Sequence, residues 1–393
     1  MNFKEEFINI INSNQDIKTV SFFRDEENCK NIIENNLFWN NIDLILKKFN
    51  QTVLATCIKL LSSYNPSFFT YDVVKIFNYS YTSGFYVDLF KYLDNSNLDL
   101  GVIFEYIIEK DCLNVSSYAL FISMYNKKYK DLLYDNLDII LKNSYKLLKI
   151  KKIVSDNPLF LNKVDEFIEN NPNIVIYNII MDYTGMKKEE IETEKIFDFV
   201  KIIIDELLIN ENKKYTDIIY LGEGSSSVVY LIGDKVIKLG SERFPFKNAN
   251  NKRFLRPILR TNIKSLKDDK VLFCIEITEK VDTNNITKED ARLIYEEFRD
   301  IGYVWGDVNP RNLGRLIKKN KIYFNEPLNP TKESINYTTE NDIELDKGEL
   351  VILDNEFIFE EKDFISKIGF DNANDLVKEF EARYQEEKKQ KNY

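Results

Sequence analysis

Near Glu211-Asn212-Lys213-Lys214 the hydrophobic period of this chain changes, and the change limits the possible folds more than any other feature. From Phe3 to about Asn210, apolar residues recur at three- and four-residue intervals with Asn, Asp, Ser or Pro at the breaks, which is the pattern of successive amphipathic helices. Ile42-Leu44-Ile45-Leu46-Phe49, Leu137-Ile139-Ile140-Leu141 and Val164-Phe167-Ile168 are such stripes. Beyond the break, Ile218 to Leu221, Val228 to Leu231 and Lys235 to Leu239 are short runs of strand formers, and Gly233-Asp234 has the chemistry of a two-residue hairpin turn. The reading is therefore α+β: an all-helical domain over 1–212, followed over 213–393 by a domain that opens strand, glycine-rich turn, strand, tight turn, strand.

Within the first domain, Asn41-Ile42-Asp43-Leu44-Ile45-Leu46 and Asn136-Leu137-Asp138-Ile139-Ile140-Leu141 resemble each other at a separation of 95 residues. Nothing of equal quality fills the gap at a regular period, so an irregular helix array is expected rather than a regular solenoid. The aromatic residues there, among them Phe22, Phe23, Phe68, Phe69, Tyr71, Tyr79, Tyr81, Phe85 and Tyr86, fit either a binding groove or an ordinary packing core.

Composition removes several chemistries. The chain has no histidine, which excludes Ser-His-Asp and Cys-His catalysis and any imidazole switch. Its net charge of −10 disfavours nucleic acid and anionic membrane as partners, with Lys252, Arg253, Arg256 and Arg260 as a local basic cluster suited to phosphate contacts or to solvation. Cys29, Cys57, Cys112 and Cys274 are scattered without C-x-x-C spacing, which argues against a disulfide framework or zinc site and fits a reducing cytoplasm. An acidic N-terminus and the lack of an apolar run of roughly 18 residues predict neither signal peptide nor membrane span.

Four motifs in the second domain occur in a telling order. Gly222-Glu223-Gly224-Ser225-Ser226-Ser227-Val228-Val229 comes first, and Val236-Ile237-Lys238 follows, its lysine 16 residues beyond Gly222. Next come Trp305-Gly306-Asp307-Val308-Asn309-Pro310-Arg311-Asn312 and Leu350-Val351-Ile352-Leu353-Asp354-Asn355-Glu356. Glycines let a backbone approach phosphate oxygens, and the serine N–H groups can donate to them. A lysine between Ile237 and Leu239 points away from both, toward a cleft. Each motif also has an ordinary reading, respectively a hairpin turn, a solvated strand lysine, a polar turn and a buried strand ending at a solvated aspartate.

Together these motifs resemble those of the protein-kinase-like superfamily over roughly residues 215–370, in a minimal, bacterial-type form. The Gly306-Asp307 pair and Pro310 are more similar to the loop of aminoglycoside and choline phosphotransferases than to that of protein kinases. The resemblance implies a two-lobed kinase-like domain with a five-stranded antiparallel N-lobe sheet and a truncated helical C-lobe. It implies ATP and magnesium as cofactors. Gly222, Gly224, Ser225, Ser226, Ser227, Val229, Lys238 and Glu276 would bind nucleotide, Asp307 would align the acceptor hydroxyl, and Asn312 and Asp354 would hold the metal. A glutamate partner for Lys238 is not evident, since residues 244–260 are rich in Lys and Arg where the third kinase helix would lie. Asn309 stands where many kinases carry a lysine, which shifts γ-phosphate stabilisation to Arg311 or Arg315.

Two spacings depart from the pattern. Asn312 and Asp354 are 42 residues apart, with a polar insertion over 325–347, and only 39 residues follow Asp354. The activity implied is phosphoryl transfer to a protein Ser or Thr hydroxyl, with the helical domain as docking surface for the protein substrate. The alternatives are a small-molecule phosphotransferase and a nucleotide-binding pseudokinase scaffold.

Overall fold

The structure is a computed structural model that describes residues 2–79, 81–109, 117–125, 129–144, 146–224, 227–241, 255, 258–300, 302–305, 308–318, 320–322, 343–353 and 358–360. The protein is α+β and divides into two compact units, Met1–Ile191 and Glu192–Tyr393. Among the described residues no helix is long and apolar enough to cross a membrane.

The described part of the first unit is helical throughout. Side-chain caps start several of its helices: Asn2 accepts from Lys4 N, Asp25 from Asn28 N and Asn50 from Val53 N. Most of the aromatic residues are core. Phe22, Phe23, Phe68, Phe69, Phe85 and Tyr86 are buried, whereas Tyr71 and Tyr79 remain exposed. Trp39 packs against Phe38, Phe68 and Phe69, and its indole N–H donates to the Phe68 carbonyl at 2.6 Å. The two similar strings adopt one local structure. In each, a short helix (Leu37–Asn40, Lys130–Asp135) meets a seven-residue helix (Ile42–Lys48, Leu137–Asn143) at an asparagine. Asn41 and Asn136 donate through Nδ2 to the carbonyls of Leu37 and Leu132, four residues back, at 2.7 and 2.9 Å. A buried ion pair, Lys149 with Asp182 at 2.7 Å, lies deeper in this unit.

In the second unit, strands β1 (Ile219–Glu223), β2 (Ser227–Ile232), β3 (Lys235–Gly240), β4 (Leu259–Lys264) and β5 (Val271–Glu279) form one antiparallel sheet in the order β1-β2-β3-β5-β4. Directly opposed residues share a face, so the register sorts the sheet into two surfaces. Val228, Tyr230, Ile232, Ile237, Leu239, Phe273, Ile275, Ile277 and Ile263 fall on one of them, and all are buried. The helix Ile196–Asn210 is tied down at both of its ends. Before it, Glu194 Oε2 accepts from Leu266 N in the β4–β5 turn at 2.6 Å; after it, Glu211 Oε2 accepts from Asp234 N in the β2–β3 turn at 2.8 Å. These turns lie at opposite ends of the sheet, and a helix of 15 residues is about 22 Å long, which lays it along the strands. Glu211 also meets Lys235, which shares the apolar face with Ile237 and Leu239, and Val200, Ile203, Ile204 and Leu208 are buried on the helix. The helix therefore groups with the sheet, 21 residues ahead of the boundary read from the change of period.

The Gly233-Asp234 turn is the expected hairpin. Gly233 has φ +56, and a Cβ there would run into the Glu211 side chain. The β5 strand extends through Thr278 and Glu279 because Val236 and Lys235 continue the ladder opposite them.

After β5 come β6 (Val281–Asp282), the helix Lys288–Asp300, β7 (Tyr303–Trp305), β8 (Leu313–Leu316), β9 (Asn320–Ile322), β10 (Ile343–Leu345), β11 (Leu350–Ile352) and β12 (Ile358–Glu360). They pair as a three-stranded sheet β11-β8-β6 and as the ladders β9–β10 and β7–β12. The region expected as a truncated helical lobe is thus mixed, with one 13-residue helix among short strands in its described part. The helix opens on a reciprocal cap, Thr287 Oγ1 accepting from Asp290 N at 3.1 Å and Asp290 Oδ2 from Thr287 N at 2.8 Å. Ala291, Ile294 and Phe298 from this helix pack with Trp305, Leu313, Leu350 and Ile352. The β9–β10 ladder closes the base of the insertion, whose residues 325–342 lie outside the described set.

Candidate functional site

The other face of the five-stranded sheet carries the polar residues. Gly222 on β1 is opposite Val229 on β2, Val229 is opposite Lys238 on β3, Lys238 is opposite Glu276 on β5, and Glu276 is opposite Arg260 on β4. These residues form one row across all five strands, with neighbours about 5 Å apart at Cβ. Alternation in β3 sets this up: Ile237 and Leu239 are buried on the apolar face, and half-buried Lys238 stands on the other. The bulge in β1 between Tyr220 and Gly222 shifts the register there and opposes Gly222 to Val229.

Glu276 is 7% exposed. Arg260 holds it through two hydrogen bonds, from Nε at 3.0 Å and Nη2 at 2.7 Å, both to Oε2. The charged hydrogen bonds offset the desolvation of a buried carboxylate. Sequence reasoning placed Arg260 in a basic cluster for phosphate contact or solvation, and the structure instead commits its guanidinium to Glu276. The alternation of Leu259-Arg260-Thr261-Asn262-Ile263 is the sequence signal that would have put Arg260 on the polar face.

The glycine-rich turn is described at its edges. Gly224 N donates to Ser227 O at 2.8 Å, and Ser227 is buried at the start of β2. Ser225 and Ser226 lie outside the described residues, as do Asp307 and Asp354. Around Asp307, Trp305 is buried at the end of β7, Val308 packs on the cluster of Trp305 and Leu313, and Pro310–Asn312 form a single 3-10 turn. Asn309 caps this turn, its Oδ1 accepting from Arg311 N at 3.0 Å and its carbonyl from Asn312 N at 2.9 Å. Asn312 is also joined to the strand that leads to Asp354: Leu353 N donates to Asn312 O at 2.8 Å, continuing the β8–β11 pairing of Leu313 with Ile352.

Arg315 is engaged elsewhere. It bonds Asp290 Oδ1 at 2.6 Å and the Gly348 carbonyl at 3.3 Å, which fixes β8 to the start of the Lys288–Asp300 helix. Burial pushes the Asp290 carboxyl up, but the Thr287 hydrogen bonds and Arg315 outweigh it and hold the group below its ordinary value. Arg311 is exposed. At the end of the apolar face, Glu279 joins Lys235 at 2.7 Å and Lys318 at 2.9 Å, and Lys280 N donates to Asp234 O at 2.8 Å, so the end of β5 is fastened to the β2–β3 turn and to Lys318, two residues beyond β8. The hydrogen bond to Glu279 raises Lys318 above the usual lysine value, against burial and with help from Asp234 and Glu211.

Among the described residues no group of three His, Cys, Asp or Glu side chains is placed to hold a metal ion. Comparison with protein-family models, with curated proteins and with solved structures gives no match for this chain.

Proposed function

We propose that the second unit is an ATP- and magnesium-dependent phosphotransferase of kinase-like design that acts on protein Ser or Thr hydroxyls. The observation that carries this reading is the row Gly222, Val229, Lys238, Glu276 on one sheet face, since the resemblance assigns these residues to the nucleotide site. A second support is the Leu353–Asn312 hydrogen bond, which joins the two motifs assigned to the metal through backbone pairing. The sheet also has the five antiparallel strands that the resemblance implies.

The residues fit a triphosphate in chemical type. Lys238 supplies a compact cation to phosphate oxygens, and the backbone about Gly222 and Gly224 has no Cβ to keep a ligand away. Glu276 holds the polar row in place rather than touching adenine, because Arg260 already binds it. Asn312 Oδ1 and the Asp354 carboxylate are the oxygen donors suited to magnesium. Magnesium-ATP, when bound, supplies the phosphoryl group and neutralises its charge. Asp307 takes the proton of the attacking hydroxyl and orients its oxygen. Protein acceptors are favoured by the large helical unit as a docking surface.

Incubation of the full chain with γ-labelled ATP and magnesium tests the proposal. Label is expected to reach protein, and Asp307→Ala is expected to lower transfer by at least about 100-fold, as removal of a general base does. Nucleotide binding without transfer would instead identify a pseudokinase scaffold, and neither binding nor transfer would reject the phosphotransferase reading.

A further inference from the structure

Three observations converge on Glu276. It is directly opposite Lys238 in the β3–β5 register, so the two side chains leave the sheet on the same face. It is buried, although a lone carboxylate is costly to bury. Arg260 approaches from the far side, and the two hydrogen bonds it gives to Glu276 fall on Oε2; among the described residues no hydrogen bond reaches Oε1. The carboxylate is thereby fixed in orientation by one neighbour, with its second oxygen available to the other.

We propose that Glu276, held by Arg260, is the positioning residue for Lys238. It takes from the neighbouring strand the task that the kinase pattern gives to a glutamate on a separate helix, for which residues 244–260 offer no candidate in the sequence. The inference rests on the phosphotransferase reading for the purpose of Lys238, though not for the pairing itself. The arrangement has a mechanical merit. A carboxylate carried on a sheet strand is set by backbone pairing, so Lys238 is preorganised without any helix having to swing inward. Arg260 takes Oε2, so Oε1 is the oxygen that Glu276 has for the lysine. The charges facing Lys238 along its row are Glu276 on β5 and, beyond it, Arg260 on β4; β2 contributes uncharged Val229.

The test is trace acetylation of the full-length protein with isotope-labelled acetic anhydride over a pH series, reading the Lys238 peptide by mass spectrometry without nucleotide. Removing the carboxylate in Glu276→Gln is expected to lower the lysine's affinity for its proton, raising Lys238 acetylation at least threefold at pH 9. Removing the competing cation in Arg260→Met is expected to act in the opposite direction, lowering it by a similar factor. Opposite signs are the signature of charge positioning, because simple loosening of the sheet would raise reactivity in both variants. An unchanged profile, or a rise in both, overturns the proposal. Should Glu276→Gln fail to fold, the direction of the Arg260→Met change decides alone.

Adding magnesium-ATP separates the two readings. Protection of Lys238 by nucleotide belongs to the phosphotransferase proposal. A charge response without protection keeps the pairing and rejects that proposal; protection without a charge response does the reverse.

Discussion

Single residues set several of the geometries on which the site depends. Gly233 is the sharpest case, since its left-handed conformation closes the β2–β3 turn and its missing Cβ makes room for Glu211. Gly233→Ala is expected to cost about 1–2 kcal/mol from the backbone alone, with more from displacement of Glu211. Urea unfolding of the variant followed at Trp305 measures it, and an unchanged midpoint would refute the account. This turn was legible in the sequence because Gly-Asp between two β-branched runs has few other uses. The role of Arg260 was not legible. Its value comes from Glu276, which lies 16 positions away in the chain and beside it only once β4 and β5 pair.

Elements were legible where one local signal dominates. The helix Lys288–Asp300 carries its signal locally, in Thr287 and Asp290 ahead of the stripe Ala291, Ile294 and Phe298, and its cap is formed by those first two residues. What sequence could not supply is the tie from Asp290 to Arg315, which attaches the helix to β8. Asp290→Asn should therefore destabilise the second unit by about 1 kcal/mol at neutral pH, in the range of a lost helix cap. The sign of its pH dependence follows from the carboxyl being held below its ordinary 3.8. Its contribution is complete above that value and disappears as pH falls through the lower folded value, so wild-type protein should lose stability below about pH 4 more steeply than the Asn variant. Thermal unfolding from pH 6 to pH 2 checks this, and parallel curves would contradict it. The short strands β6 to β12 were less legible, because three-residue runs such as Tyr303–Trp305 carry no period and exist through their partners.

At the level of the whole molecule, the chain's two tryptophans fall one in each unit, Trp39 in the first and Trp305 in the second. Trp39→Phe removes the hydrogen bond to the Phe68 carbonyl and should weaken the first unit by about 1–3 kcal/mol. Trp305 fluorescence in that variant is expected to unfold at the same urea midpoint as the second unit of the wild type. A midpoint that shifts with the mutation would show the units melting together. The change of hydrophobic period falls after the Ile196–Asn210 helix, whereas the compact units divide ahead of it, since a helix beside helices reads as one of them until Glu194 and Glu211 are seen gripping the turns of the sheet. Any fragment meant to carry the second unit must therefore start ahead of Glu194. One cut at the apparent linker would take away Glu194 and Glu211 together, and with them the clasps that hold both hairpin ends of the β-layer.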